Sequence, residues 1–223
     1  MPDPVQAVAG RPPDIADLGL SPGRPLLIVD VDEVLGLFMQ GFGRFLELRG
    51  LEMRIERFAL FQNIFRPGES TFLDIEEGRR HFNDFFRYGC ADMEPAPGAV
   101  EALRELSREA GVVIVTNAPG PARLARARWL GRSGLDYPMI INTGPKGPLA
   151  AAMAAQTSGP AAFVDDLLSN LNSVAESAPT VARFQMVADP RLRTFAPSEP
   201  ESHVRIDDWD ELKPALEAVL GRP

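Results

Sequence analysis

Leu26-Leu27-Ile28-Val29-Asp30-Val31-Asp32-Glu33-Val34-Leu35-Gly36 sets the reading of the whole chain. Residues 26–29 are a continuous apolar run of branched side chains, with no polar alternation. A run of that kind predicts a strand covered on both faces, as at the centre of a parallel sheet. Asp30 and Asp32 follow at once, at the carboxyl end of the strand, where open α/β sheets hold their ligands. Two carboxylates so close repel each other and are costly to bury unpaired. A bound cation, or a proton shared with a substrate, would relieve them.

Working outward, the same arrangement recurs. Val112-Val113-Ile114-Val115 reads as a second buried strand and ends in Thr116-Asn117-Ala118. Residues 161–164 read as a third, ending in Asp165-Asp166, with Asn170 close behind. Further strands are expected at 139–142 and 181–187. Helices are expected over 98–109, from about 120 through Trp129, over the alanine-rich stretch after Pro148, and over 208–220. This alternation predicts an α/β fold with a doubly wound, Rossmann-like parallel sheet. Parallel strands end on one side, so Asp30, Asp32, Thr116, Asn117, Asp165 and Asp166 should meet in one crevice.

Between the first two strands lies a stretch of different character. Ten of the chain's 13 phenylalanines fall within residues 37–94. Phe38/Phe42/Phe45 and Phe58/Phe61/Phe65 have helical spacing, Arg66-Pro67-Gly68 breaks it, and a further helix is expected over 74–88. The stretch reads as an inserted helical module, with the phenylalanines as its own core. Residues 26–36 and 95–223 would form the α/β domain. Residues 1–25 contain six prolines and read as a poorly ordered leader.

Composition narrows the function classes. A net charge of −8 argues against nucleic acid and anionic membrane as partners. The single cysteine, Cys90, excludes an internal disulfide and makes the reducing cytoplasm the expected compartment. No segment reads as a signal peptide or membrane span. A monomer or homodimer is expected. Of 23 basic residues only Lys146 and Lys213 are lysines, so a lysine set between Gly144-Pro145 and Gly147-Pro148 suggests a position that wants a compact ammonium. Carboxylates, a hydroxyl and a lysine together are the parts needed for phosphoryl transfer through an aspartyl-phosphate.

The motifs Asp30-x-Asp32, Thr116, Lys146 and Asp165-Asp166 with Asn170, in this order, resemble those of the haloacid dehalogenase superfamily of phosphatases and related hydrolases. The resemblance covers about residues 25–190, and residues 37–94 resemble that family's small helical cap. It implies that Asp30 attacks phosphorus and that Asp32 serves as general acid and base. Thr116, with backbone amides near Asn117 and Ala118, would bind the phosphoryl oxygens beside Lys146. It also implies Mg²⁺ held by Asp30, the carbonyl of Asp32, Asp165 and Asp166, with Asn170 in support. The expected activity is hydrolysis of a small phosphorylated metabolite. A phosphomutase or an inactive phospho-ligand-binding regulator are the alternatives, and dehalogenation is disfavoured by Asp32, since halide leaves without a proton. Glu33 departs from the glycine frequent at that position, so the turn beside the site should differ. Arg54, Arg57, Arg66, Arg79, Arg80 and Arg87 are candidates for holding a second anionic group of the substrate.

Overall fold

The computed structural model describes residues 15–221. At its centre is β1 (Leu26–Val29), with all four residues buried. Burying each such side chain is worth about 1.5–3 kcal/mol over leaving it exposed. β1 lies between β4 (Gly111–Thr116) and β6 (Ala161–Asp165). Both neighbours are parallel to it, Val29 pairing with Ile114 on one side and Val164 on the other. That register brings the ends of the three strands level. β5 (Met139–Ile141) extends the sheet beyond β4, and β7 (Ala182–Gln185) and β8 (Val204–Arg205) extend it beyond β6, giving six strands in the order β5-β4-β1-β6-β7-β8.

Alternate side chains enter different cores. Leu27 and Val29 pack with Trp129 and Leu130 of α4 (Arg123–Arg132), Leu103 of α3 (Ala99–Leu106) and Leu212 of α7 (Trp209–Leu220). Leu26 and Ile28 pack with Met153 of α5 (Gly147–Thr157) and Leu171 of α6 (Leu168–Ser177). Helices therefore cover both faces, which is why β1 tolerates no polar residue before Asp30. Among the described residues no helix is long and apolar enough to cross a membrane.

The inserted module consists of α1 (Phe38–Glu47), a two-stranded antiparallel pair, β2 (Glu52–Met53) with β3 (Ile64–Phe65), and α2 (Ile75–Tyr88). Asp74 starts α2 by accepting from the Glu76 and Glu77 amides. Phe38, Phe42, Phe45, Phe82, Phe85 and Phe86 form a nest of rings with centroids between 4.9 and 6.4 Å apart. The phenylalanines are thus mostly packing residues, as expected.

Two expectations are corrected. Residues 58–65 do not form an α-helix despite the spacing of Phe58, Phe61 and Phe65; only a single 3₁₀ turn, Phe61–Asn63, precedes β3. Asn63 is fully buried and explains the difference. Its side chain donates to the Arg57 and Ala59 carbonyls (2.9 and 2.7 Å) and accepts from the Glu56 amide (3.1 Å), fixing a loop where a helix would need those groups itself. The leader is the second. Residues 1–14 lie outside the described residues, but parts of 15–25 are held to the sheet domain: Ile15–Leu18 form a 3₁₀ turn, Leu18 is buried in the second core, and Arg24 donates to the Ser107 and Ala110 carbonyls (3.0 and 3.2 Å).

Candidate active site

The strand ends bring the expected carboxylates together. Asp30 follows β1 and Asp165 closes β6, with Asp166 next to it. Oxygens of Asp30, Asp165 and Asp166 all lie within 4.8 Å of one another, and all three residues are buried. Lys146 reaches them from the start of α5. Gly144 turns the chain there at φ +83°, and Gly147 lets α5 press against α6, where a Cβ would lie 2.0 Å from the Ser173 carbonyl oxygen. The flanking glycines of the lysine's loop thus have a conformational and a steric reason.

Lys146 Nζ is 2.7 Å from both Asp30 Oδ1 and Asp165 Oδ2. Both contacts are close charge-assisted pairs, the one with Asp165 being the better aligned. Asp165 is the committed member. Its oxygens also accept from the Leu167 amide (2.9 Å) and from the Asn170 side chain (3.0 and 3.2 Å). Burial pushes the Asp30 carboxyl up to about 7, Lys146 opposing and Asp165 and Asp32 adding to the shift. Burial, then Asp165 and Asp30, push Asp166 well above the usual carboxylate range. Burial alone would lower Lys146, but Asp165 and Asp30 outweigh it and hold the ammonium firmly charged.

These groups fit Mg²⁺. Oxygens around an octahedral ion at about 2.0–2.1 Å stand roughly 3–4 Å apart, and three carboxylates with oxygens within 4.8 Å of one another approach that spacing. Asp166 faces the crevice, whereas Asp165 is occupied by Lys146, Leu167 and Asn170.

Asp32 also lines the crevice, but it has a partner that the sequence reading does not include. Arg126 Nη2 lies 2.7 and 2.8 Å from its two oxygens. Arg126 is completely buried on α4, with its guanidinium 4.8 Å from the Phe86 ring of α2. Its signal in the sequence is position alone: it precedes Trp129 and Leu130 by three and four residues and so shares their buried face.

Glu33 keeps the left-handed turn at φ +59° where glycine would be favoured. It is 3% exposed, and its carboxylate accepts from the amides of Met39 (2.7 Å) and Asp189 (3.0 Å). Burial pushes its carboxyl up to about 8, the Met39 amide opposing. The departure from glycine is thus structural: Glu33 caps the first turn of α1, where Leu37 has no capping side chain.

Thr116 is fully buried, and its hydroxyl oxygen has no partner among the described residues. Asn117 lines the crevice, but its side chain is occupied, donating to the Gly144 carbonyl and accepting from Asn142, each at 2.9 Å. Ala118 is buried beneath it. The crevice has a volume of about 240 Å³. Acids and Lys146 form its floor, and inserted-module side chains such as Phe38, Phe58 and Phe82 form its roof. None of the six arginines considered for a second anion lines it.

No protein-family model matches the chain, and no curated protein matches it. Solved structures do. A haloacid dehalogenase-like protein from Agrobacterium tumefaciens superposes with a TM-score of 0.59 at 18% identity, covering 89% of this chain and all of that one (100%). A haloacid dehalogenase-like family hydrolase from Xanthomonas campestris gives a TM-score of 0.56 at 16% identity, over 90% and 97% of the two chains. CbbY from Rhodobacter sphaeroides, solved in complex with phosphate, gives 0.50 at 17% identity, over 85% and 96%. The fold is that of the haloacid dehalogenase-like hydrolases.

Proposed function

We propose that this chain, with its haloacid dehalogenase-like fold, is a Mg²⁺-dependent phosphatase acting on a small phosphorylated metabolite through an aspartyl-phosphate. One observation carries the reading: a single buried lysine, 2.7 Å from two carboxylates, stands beside a third carboxylate, and the neighbouring strand β4 ends in a buried, unpartnered threonine hydroxyl. So much uncompensated negative charge at a buried strand end calls for a cation, and the hydroxyl calls for an acceptor or donor from outside.

Asp30 attacks phosphorus, forming the Oδ–P bond as the bond to the leaving oxygen breaks. Asp32 gives that oxygen a proton, then takes one from the water that cleaves the acyl-phosphate, restoring Asp30 and releasing phosphate. To do so its carboxylate turns from Arg126 or shares that contact. Lys146 holds Asp30 in place and offsets charge on the phosphoryl group. The Thr116 hydroxyl and the amides at Asn117 and Ala118 orient the phosphoryl oxygens. Mg²⁺, held by Asp30, Asp166 and the Asp32 carbonyl with Asp165 behind, would supply positive charge against the phosphoryl oxygens. The inserted module serves as a cap that excludes water.

The test is turnover of acetyl phosphate and p-nitrophenyl phosphate in Mg²⁺, with phosphate trapped on the intact protein by rapid acid quench. Asp30→Asn should lose both turnover and the label. Undiminished turnover in that variant would overturn the covalent route. A second reading, displacement of a carbon-bound halide by Asp30, rests on Arg126, because a halide leaves without needing the proton of an occupied Asp32. Chloride released from 2-chloropropionate, with both phosphates untouched, would select it.

A further inference from the structure

The crevice is divided by chemistry. Every charged side chain that lines it belongs to the floor: Asp30, Asp32, Glu33, Lys146 and Asp166. Each already has a task there, Glu33 being bound by the amides of Met39 and Asp189. The walls and roof that would meet the organic half of a substrate are Phe38, Met39, Phe58, Leu60, Phe82 and Leu192. None of those side chains donates or accepts a conventional hydrogen bond.

Four of the cap's arginines are turned to other uses, and none of its arginines lines the crevice. Arg66 binds Glu77 at 2.8 Å, Arg54 lies over the Phe65 ring at 3.7 Å, and Arg57 and Arg79 pair with Glu56 and Glu76. A second carboxylate or phosphate on the substrate would therefore meet apolar walls above an acidic floor, with no cation but Lys146. The polar side chains that also line the crevice, Asn117 and Asn170, are already bonded to Gly144, Asn142 and Asp165, so a polyhydroxylated group would bury hydroxyls with few side-chain partners, which is costly. A ring, by contrast, finds the aromatic faces of Phe38 and Phe82, with Met39 able to adjust around it. The crevice, about 240 Å³ in volume, suits a compact one.

Resting on the phosphatase reading above, we propose that the substrate is the phosphomonoester of a compact apolar, ring-bearing alcohol, with neither a second anion nor a sugar's hydroxyls. This disfavours a sugar phosphomutase, whose ligand the walls could not satisfy.

Benzyl phosphate and glucose 6-phosphate make the decisive pair. Each carries a six-membered ring on a primary alcohol carbon, so the ring and the leaving oxygen are alike while glucose adds polar, bulkier hydroxyls. With 2-phosphoglycolate as the doubly anionic probe, kcat/KM in Mg²⁺ should favour benzyl phosphate over both by about tenfold or more. Leu60→Arg should shift the preference toward 2-phosphoglycolate. Affinity for the same three compounds, measured by calorimetry on Asp30→Asn protein in Mg²⁺, reads the pocket without turnover and should give the same order. Hydrolysis of all three without preference, or glucose 6-phosphate favoured, overturns the assignment while leaving a phosphatase. Preferential binding of benzyl phosphate, with no phosphate ester turned over by the native protein, supports the apolar pocket and overturns the phosphatase reading instead.

Discussion

Asp30 and Asp32 are two residues apart, face one crevice, and should respond oppositely to substitution. Asp30 is buried against Asp165 and Asp166, and its carboxyl is pushed up to about 7 by that burial, so its charge opposes folding. Asp30→Asn should therefore abolish turnover while the thermal midpoint holds or rises. A lowered midpoint would contradict the repulsion. Asp32 instead neutralises Arg126, whose side chain is fully buried. Asp32→Ala leaves that guanidinium uncompensated and should destabilise the fold by about 3–5 kcal/mol in urea unfolding. Adding Arg126→Met should return much of the loss. No recovery in the double variant would mean that the pair is not coupled. Activity should fall on the order of 10²–10⁴-fold in Asp32→Ala for alkyl esters, and less for p-nitrophenyl phosphate, whose leaving group needs little protonation.

At the scale of elements, single side chains set helix starts that the site depends on. Glu33 ties the first turn of α1 to the Asp189 loop where the chain enters the inserted module. Glu33→Gly would relieve a left-handed residue, worth about 1–2 kcal/mol, but strand two buried amides at about 1–3 kcal/mol each. The balance predicts net destabilisation by denaturant, with the cap's amides exchanging hydrogen faster; a stabilised variant would contradict the capping role. Gly147 sets the position of Lys146 through the contact of α5 with α6. Gly147→Ala puts a methyl carbon 2.0 Å from the Ser173 carbonyl oxygen, and backbone cannot yield as a flexible side chain can. Activity should drop at least tenfold, since a displacement of about 1 Å can cost a hundredfold; an active, equally stable variant would show the helices free to separate. The same elements show what was legible in the sequence. β1, β4 and β6 are short unbroken apolar runs, and the carboxylates that follow β1 and close β6 lie together at the strand ends. Residues 58–65 were not legible, because phenylalanines three and four apart fit a helix while one buried Asn63 decides for a loop and strand. Two-residue β8 carries no periodicity to read. Arg126 was hidden by distance, meeting a carboxylate 94 residues earlier in the chain.

At the scale of the molecule, the site is a charge problem that the rest of the fold holds in place. Three carboxylates within 4.8 Å share one ammonium, and near an effective dielectric of 20 a like-charged pair about 4 Å apart costs roughly 4 kcal/mol. Two layers of helices keep the sheet rigid, so the acids cannot simply move apart. Without metal the protein must bind protons there instead. Between the ordinary value of 3.8 and about 7, folded protein keeps a proton on Asp30 that the unfolded chain has released. That contribution to stability is complete below 3.8 and is lost as pH rises through 7. Asp166, shifted in the same direction, adds to it. In EDTA the thermal midpoint should therefore decline from pH 5 to pH 8. Mg²⁺ competes with those protons, so its stabilising effect should grow over the same interval. At a concentration of about 100 times its Kd it should contribute about 2.7 kcal/mol, near 5–10 °C for a domain of this size. Turnover should vanish in EDTA and return with excess Mg²⁺, and Asp166→Ala should remove both the activity and the thermal shift. A midpoint indifferent to Mg²⁺ at pH 8, or full turnover in EDTA, would show that the three acids resolve their repulsion without a cation and that Lys146 alone suffices.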